Sequence, residues 1–551
     1  PASRDRVLAP LAKPVDVAII GLAGRYPGAN NLTQFWENLA AGIDSISQIP
    51  IERWDHSSLY DPVRGKPGKS NSKWGGFIED ADCFDPLFFN MSPREAEFID
   101  PQERLFLQCA WETIEDAGYT PENIAPELAP FAGGKVGVFV GVMYQEYQLY
   151  GVELTQKGQP IALSGSAASI ANRVSYFFNF HGPSMAIDTM CSSSLTSIHL
   201  ACESLYSGSC EVALAGGVNL SLHQNKYLAL GQGRFTSSKG RCESFGKGGD
   251  GYVPGEGVGA VLLKPIDKAI ADGDHIYGVI KSTAINHGGK TNGYSVPNPH
   301  AQTSVIANAL ARSGIQAGDV TYLEAHGTGT ILGDPIEIAA LSKAYQQDTD
   351  IHQFCALGSV KSNIGHCESA AGIAGLTKIL LQIKNRKLAP SIHADTLNPA
   401  INFAISPFIV QQHLNEWPRK SRETSQGSIE LPRIAGLSSF GAGGSNAHFI
   451  IQEYVDPQEN KFNDLFTRTR PGVFPFSARD PERLTQLLAR YDEVLDQFYK
   501  ECHRRTDLIR MFLNIQLQAA FSDGSFAVSE EDLLLHICSR LRFSTRVRVR
   551  S

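Results

Sequence analysis

Four short segments carry residue types suited to nucleophilic and proton-transfer chemistry, and each reads as the end of a regular element. In Asp188–Ser194 (DTMCSSS) a buried strand gives way to a helix at a single cysteine, Cys191. Exposed N–H groups at a helix start stabilise an anion, so a thiol placed there gains nucleophilicity; elsewhere a cysteine packs as a small apolar residue. In Tyr322–Glu337 (YLEAHGTGTILGDPIE) glycines and threonines form a tight loop off a strand, putting His326, Thr328 and Thr330 at a sheet edge, where active sites gather. Pro335 suits the first helical position, Asp334 reads as the N-cap, and Glu337 completes a capping box. In Gly358–Glu368 (GSVKSNIGHCE) His366 stands at the start of an Ala- and Gly-rich helix, which predicts a neutral ring able to donate a hydrogen bond. Lys361, taken alone, is as readily a surface charge as a site residue. Ser438–His448 (SSFGAGGSNAH) lacks the Lys-Ser/Thr of a nucleotide loop and by itself predicts a turn.

Regular structure must hold these segments, and the hydrophobic pattern supplies it. Val17–Gly21 predicts a buried strand, Phe35–Leu39 a helix, Trp54–Lys73 a surface loop and Pro93–Ala117 one helical period. The alternation continues with strand 136–142, helix 165–180, strand 183–188, helix 192–206 and strands 211–215 and 257–264. A second set follows: strand 276–285, helix 301–313, strand 320–324, helix 335–346, strand 355–360, helix 369–384 and strand 434–439. Strands separated by helices predict sheets covered on both faces, and two sets of similar size hint at internal duplication. After Val455 the composition shifts: 456–471 is polar, 475–481 reads as a docked connector, and 481–503 has helical spacing.

Composition bounds the function. At 551 residues, 42% hydrophobic and 19% charged, with 51 Gly and 29 Pro, the chain is ordered and rich in turns. A formal charge of -8 speaks against a broad cationic face, so neither nucleic acid nor an anionic membrane is an expected partner. Ten cysteines without two-residue-spaced pairs predict no zinc site and suit reduced thiols in a cytoplasmic protein. There is no apolar run of about 18 residues to span a bilayer. A first residue other than Met suggests a piece of a longer polypeptide.

Together the four segments, in this order, resemble the β-ketoacyl synthases of modular type I polyketide synthases, within the thiolase superfamily. Val17–Gly28 and Phe84–Leu105 match the same style, and the likeness runs from about residue 14 to 454. The resemblance implies a thiolase-like five-layer αβαβα fold. Its parts would be a tail (1–13), an N-terminal half with the nucleophile (14–270), a C-terminal half with two histidines (271–454), and a linker with an α/β flanking subdomain (455–551). It implies decarboxylative Claisen condensation of a Cys191-bound acyl chain with malonyl-acyl carrier protein. His326 and His366 would assist decarboxylation and hold the enolate, while Lys361 maintains their geometry. Backbone amides of Cys191 and Ala442 would form the oxyanion hole. Thr328 and Thr330 would contact the phosphopantetheine arm, and Met190, Phe440 and Asn446 would line the substrate site. Fatty acid synthases of the superfamily often place a Phe gate where Ala442 stands, so a roomier pocket is expected.

No cofactor is implied on the domain itself, since substrates arrive on phosphopantetheine. Expected partners are upstream and downstream carrier proteins, a second copy in a homodimer paired near strand 183–188, neighbouring modules and, indirectly, a free-standing acyltransferase. Gly249–Gly257 and Asn286–Pro299 look like the trans-acyltransferase class used in antibiotic biosynthesis; Val473–Leu484 and Leu535–Arg550 resemble the family's linker and flanking subdomain. Two other readings stand beside condensation: a non-elongating ketosynthase that transfers or holds acyl chains, and an assembly scaffold. A thiolase would need a second cysteine near the end of the core, where Gly443 and Gly444 stand.

Overall fold

The computed structural model describes residues 16–124, 135–424 and 427–456, with positions 485, 486 and 489. The expected tail, the connector at 475–481, most of the helical spacing at 481–503 and the resemblance at 535–550 lie outside the described residues. The chain divides into two compact units, Pro1–Tyr454 and Val455–Ser551, and every site residue belongs to the first.

Strands β1 (Val17–Arg25), β2 (Val136–Gly141), β3 (Ser184–Ile187), β4 (Val212–Asn219) and β5 (Gly257–Pro265) come from the first half. The second half supplies β6 (Gly278–His287), β7 (Tyr322–Glu324), β8 (Cys355–Gly358), β9 (Phe408–Val410), β10 (Ile434–Phe440) and β11 (Ser445–Gln452). All eleven join one sheet in the order β9-β8-β7-β10-β11-β6-β1-β5-β4-β2-β3. Leaving β9 aside, each half repeats one plan: its five strands, numbered along the chain, lie in the spatial order third, second, fourth, fifth, first. Inner pairs are antiparallel and outer pairs parallel in both, and the halves meet where β1 runs antiparallel to β6. This shared topology is the duplication that the sequence only hinted at.

Strand pleating sorts the core into layers, because successive side chains point to opposite faces. Val17 and Ile19 join an inner cluster with Leu195, Ile198, Ile373 and Leu376, whereas Ala18 and Ile20 join an outer one. The inner cluster surrounds helices α3 (Ser193–Tyr206) and α8 (Ala371–Asn385). Every residue of α8 from Ala371 to Ile383 is buried, as befits a helix enclosed on all sides. Outer clusters pack α1 (Pro101–Asp116) and α2 (Ala167–Phe178) on one half, and α5 (Pro299–Ser313) and α6 (Gly333–Tyr345) on the other. Helix, half-sheet, helix, half-sheet, helix is the five-layer thiolase-like α/β arrangement, each half of the chain giving its half of the one sheet. Short helices α4 (Gln224–Gln232) and α7 (Lys361–Ile364) complete the frame around the site.

Several elements differ from the sequence reading. The single period over 93–117 is two helices, because Ile99 is extended and Asp100 caps a new start at Pro101, accepting from Gln102 N–H at 2.8 Å. Strand β11, strand β9 and a helix at Tyr147–Gln156 went unread. The N-cap assigned to Asp334 is also corrected: α6 begins at Gly333, and Leu332, which precedes it, has no side chain able to cap that end. Among the described residues no helix is long and apolar enough to cross a membrane, and no group of His, Cys, Asp and Glu is arranged to hold a metal.

Candidate active site

Cys191 lies on a tight elbow between β3 and α3. Met190 adopts the left-handed region with φ of 56°, a strain of roughly 1–3 kcal/mol that surrounding bonds must offset. They do so densely. Asp188 Oδ1 accepts the Met190 N–H at 2.8 Å, Ser193 Oγ accepts the Thr189 N–H at 2.9 Å, and Ser193 Oγ donates to Met190 O at 2.6 Å. Ser439 Oγ, on β10, donates to Cys191 O at 2.7 Å and ties the elbow to the second half.

Cys191 is buried, with 6% of the residue exposed, and its sulfur receives backbone N–H groups from Ala442 and from Cys191 itself. Burial nevertheless pushes the thiol up to about 12; Glu368 adds to the rise, while the Ala442 amide and the Lys361 charge oppose it. Desolvation is therefore the leading influence on Cys191 and favours the thiol form. Two backbone amides thus converge on the sulfur, the kind of donor set that can stabilise an oxyanion on an attached acyl group.

The Ala442 amide reaches the sulfur because the β10–β11 turn is built of glycines. A Cβ on Gly441 would stand 2.4 Å from Thr189 O, and Gly444 has φ of 95°. Phe440 is buried at the end of β10, its ring 5.7 Å from that of His326. Met190 approaches the same turn from the elbow, with Sδ 3.6 Å from where a Cβ on Gly443 would lie. Asn446 is buried in β11 and donates from Nδ2 to Asn286 Oδ1 at 3.0 Å, so its amide nitrogen is engaged within the sheet.

His326 follows β7, and its loop is held by a carboxylate fork. Glu337 accepts the N–H of His326 at 2.7 Å with one oxygen and that of Gly327 at 2.8 Å with the other. Asp334 accepts from Gly329 N–H at 3.1 Å and from Phe245 N–H at 2.7 Å. The two acids expected to cap the helix hold the histidine loop instead. Thr328 and Thr330 place their hydroxyls 3.2 Å apart, and Thr330 Oγ1 also accepts the Gly333 N–H at 3.2 Å.

Both imidazoles are oriented by backbone amides. His326 Nδ1 accepts from Phe440 N–H at 3.3 Å and His366 Nδ1 from Glu368 N–H at 3.0 Å, which assigns the ring proton to Nε2 in each. The rings meet edge to face, centroids 5.3 Å apart at 83°. Burial holds both well below the usual histidine range; Lys361 adds to this for both, and His326 and Lys226 also act on His366. Neutrality of His366 was expected, but its first cause is burial and not a helix end. Lys361 is no surface charge: it opens α7, is buried, and its field reaches Cys191 and both histidines. The site thus offers a thiol, two amide donors and two neutral Nε2–H donors, a set suited to acyl transfer and enolate stabilisation.

Sequence reasoning missed three neighbours. Tyr252 packs its ring 4.8 Å from His366, Lys226 lies inside α4 with no solvent contact, and Tyr144 stacks beneath that lysine at 4.7 Å. A lysine on a short helix carries no local signal of burial, and only a long-range contact could have exposed it.

This is a thiolase-like α/β fold, and comparison with known proteins narrows the class. Residues 15–269 match the family described as β-ketoacyl synthase, N-terminal domain, residues 277–395 its C-terminal domain, and residues 398–517 the ketoacyl-synthetase C-terminal extension. The chain is 61% identical over 503 residues to polyketide synthase PksL of Bacillus subtilis, covering 91% of this chain but 11% of that protein. It is 58% identical over 501 residues to polyketide synthase ThaG of Burkholderia thailandensis, covering 90% and 9% respectively. Among solved structures, the oxazolomycin ketosynthase domain OzmH KS7 of Streptomyces albus JA3453 superposes with a TM-score of 0.80 at 52% identity, over 88% of this chain and 80% of that one. The ketosynthase from module 6 of the Bacillus subtilis bacillaene synthase gives 0.76 at 40% identity, over 88% and 77%. The chain belongs to the β-ketoacyl synthase family, as a ketosynthase domain of the polyketide synthase type, a transferase. It spans about a tenth of the length of those two polyketide synthases.

Proposed function

We propose that this domain elongates polyketide chains by decarboxylative condensation. An acyl group passes from an upstream carrier thioester to Cys191 Sγ, and the thiol proton leaves with the carrier's phosphopantetheine sulfur. Malonyl-acyl carrier protein then enters and loses carbon dioxide. The enolate oxygen takes hydrogen bonds from His326 and His366 Nε2–H, and its carbon attacks the Cys191 thioester. Amides of Cys191 and Ala442 hold the tetrahedral oxyanion, the β-ketoacyl chain departs on the carrier, and the Cys191 thiolate recovers a proton from solvent. Lys361 maintains the neutral histidines, Thr328 and Thr330 meet the phosphopantetheine arm, and Met190, Phe440 and Asn446 border the acyl chain.

The observation that carries this reading is the pair of neutral, amide-oriented imidazoles, 5.3 Å apart, one of them bonded to the Phe440 N–H two residues before the Ala442 amide that faces the Cys191 thiol. Intact-mass analysis after incubation with acyl thioesters tests it: wild type gains one acyl mass, Cys191→Ala gains none, and acylated wild type releases a β-ketoacyl product with malonyl-carrier protein. Acylation that survives in Cys191→Ala overturns the assignment of the nucleophile. Acylation without decarboxylation marks the non-elongating alternative, and neither activity leaves a scaffold. We place the domain in a cytoplasmic, trans-acyltransferase synthase, served by a free-standing acyltransferase and paired as a homodimer along β3.

A further inference from the structure

Beside the imidazoles stands a charge pair with no access to water. Lys226 on α4 forms an ion pair with Glu368, and both side chains are fully buried. Lys226 also donates to Asn219 Oδ1 at 3.2 Å, and its ammonium lies 4.7 Å from the centre of the Tyr144 ring. Glu368 accepts the Tyr252 hydroxyl at 3.2 Å, and the Tyr252 ring packs 4.8 Å from His366. The backbone N–H of Glu368 is the group that orients His366, at 3.0 Å from Nδ1. The pair therefore joins a helix of the first half to the residue that sets the second-half imidazole.

Stability alone gives little reason for such a pair, since well-packed apolar residues of similar volume commonly serve as well or better. Its position supplies another. We infer that Lys226 is a positioning residue that balances Glu368, so that His366 stays neutral, accepts the Glu368 amide at Nδ1 and turns its Nε2–H toward substrate. The inference rests on reading the domain as a decarboxylating synthase.

The charged and titratable groups acting on His366 are Lys361, His326 and Lys226. Glu368 acts in turn on Tyr144, Glu146, Cys191, Tyr227, Tyr252 and Cys367, and Lys226 also faces Glu256. Removing the lysine takes a cation away from His366 and leaves a buried carboxylate unmatched beside it, and both changes favour the imidazolium. A protonated ring carries hydrogen on Nδ1, which then meets the Glu368 N–H donor to donor, and the orienting bond is lost.

The test follows carbon dioxide release from malonyl-carrier protein against pH, using the full chain. Lys226→Met is expected to move the acid limb up by about one pH unit, so that turnover falls by up to roughly tenfold on the acid side of the limb and is nearly unchanged at about pH 8.5, with KM unchanged. Lys226→Met combined with Glu368→Gln removes both charges and is expected to regain most of the lost rate and the wild-type limb. An unmoved limb in Lys226→Met overturns the inference, as does an equal, pH-independent loss in the single and double variants, the signature of a merely structural pair. Should the single variant not fold, the double variant decides: a wild-type limb supports the inference and a shifted one overturns it. A wild-type chain that releases no carbon dioxide overturns the underlying reading and the inference with it, a failure visible before any substitution.

Discussion

Glu337 shows how a carboxylate can govern a site without entering it. Its two oxygens take the backbone amides of His326 and Gly327. Burial raises its carboxyl to about 7, against those bonds and the Lys361 charge, which pull it down. The native chain therefore holds a proton that the unfolded chain has lost, so this contribution to stability is present below about pH 4.5 and disappears as pH rises through about 7. Glutamine cannot titrate and offers one acceptor oxygen where the carboxylate offers two. In Glu337→Gln the stability difference from wild type, measured by denaturant unfolding, should change by about 3 kcal/mol between about pH 4.5 and 8, wild type losing ground as pH rises. Taking the difference matters, because the buried His326, His366 and His448, all held below the usual range, destabilise the fold in the opposite direction as pH falls. A pH-independent difference would sink this account of the loop.

At the scale of elements, two close approaches decide whether the halves can share a site. Helices α3 and α8 meet where Gly372 leaves no room: a Cβ there would lie 2.5 Å from Leu195 Cγ, and Ser194 Oγ on α3 accepts the Ile373 N–H at 3.1 Å. Gly372→Ala should cost about 1–3 kcal/mol in denaturant unfolding, because overpacking outweighs the better helix propensity of alanine. Stability at or above wild type would show that the central layer can yield. The glycine turn after β10 was legible as punctuation, but its purpose was not, since the atom that requires Gly441 to be bare belongs to Thr189, far away in sequence. The strand that follows, β11, was hidden behind the same punctuation. The break at Ile99 and Asp100 was equally quiet, because the apolar period runs across it.

At the scale of the molecule, the doubled topology leaves β3 at one margin of the sheet, with Met185 39% exposed. A short, uncharged margin is a ready template for pairing with a second copy, as the proposed homodimer requires. Met185→Asp, which sets like charges against each other across a twofold axis, should lower the mass found by light scattering from dimer toward monomer while the circular dichroism of the fold is retained. A variant that remains dimeric places the interface elsewhere.

Period-2 and period-3.6 patterns with their glycine punctuation were enough, from sequence alone, to order most strands and helices, to locate Cys191, His326 and His366 at element ends, and to suggest the family. Those features are local, written within a few residues of one another. Tertiary structure alone decided the desolvation of the thiol, the reassignment of Asp334 and Glu337 from helix caps to loop clamps, the burial of Lys361, and the Lys226–Glu368 pair. Each of these depends on desolvation or on how the folded backbone turns a side chain toward its partner, and neither has a local pattern that a reading along the chain could detect.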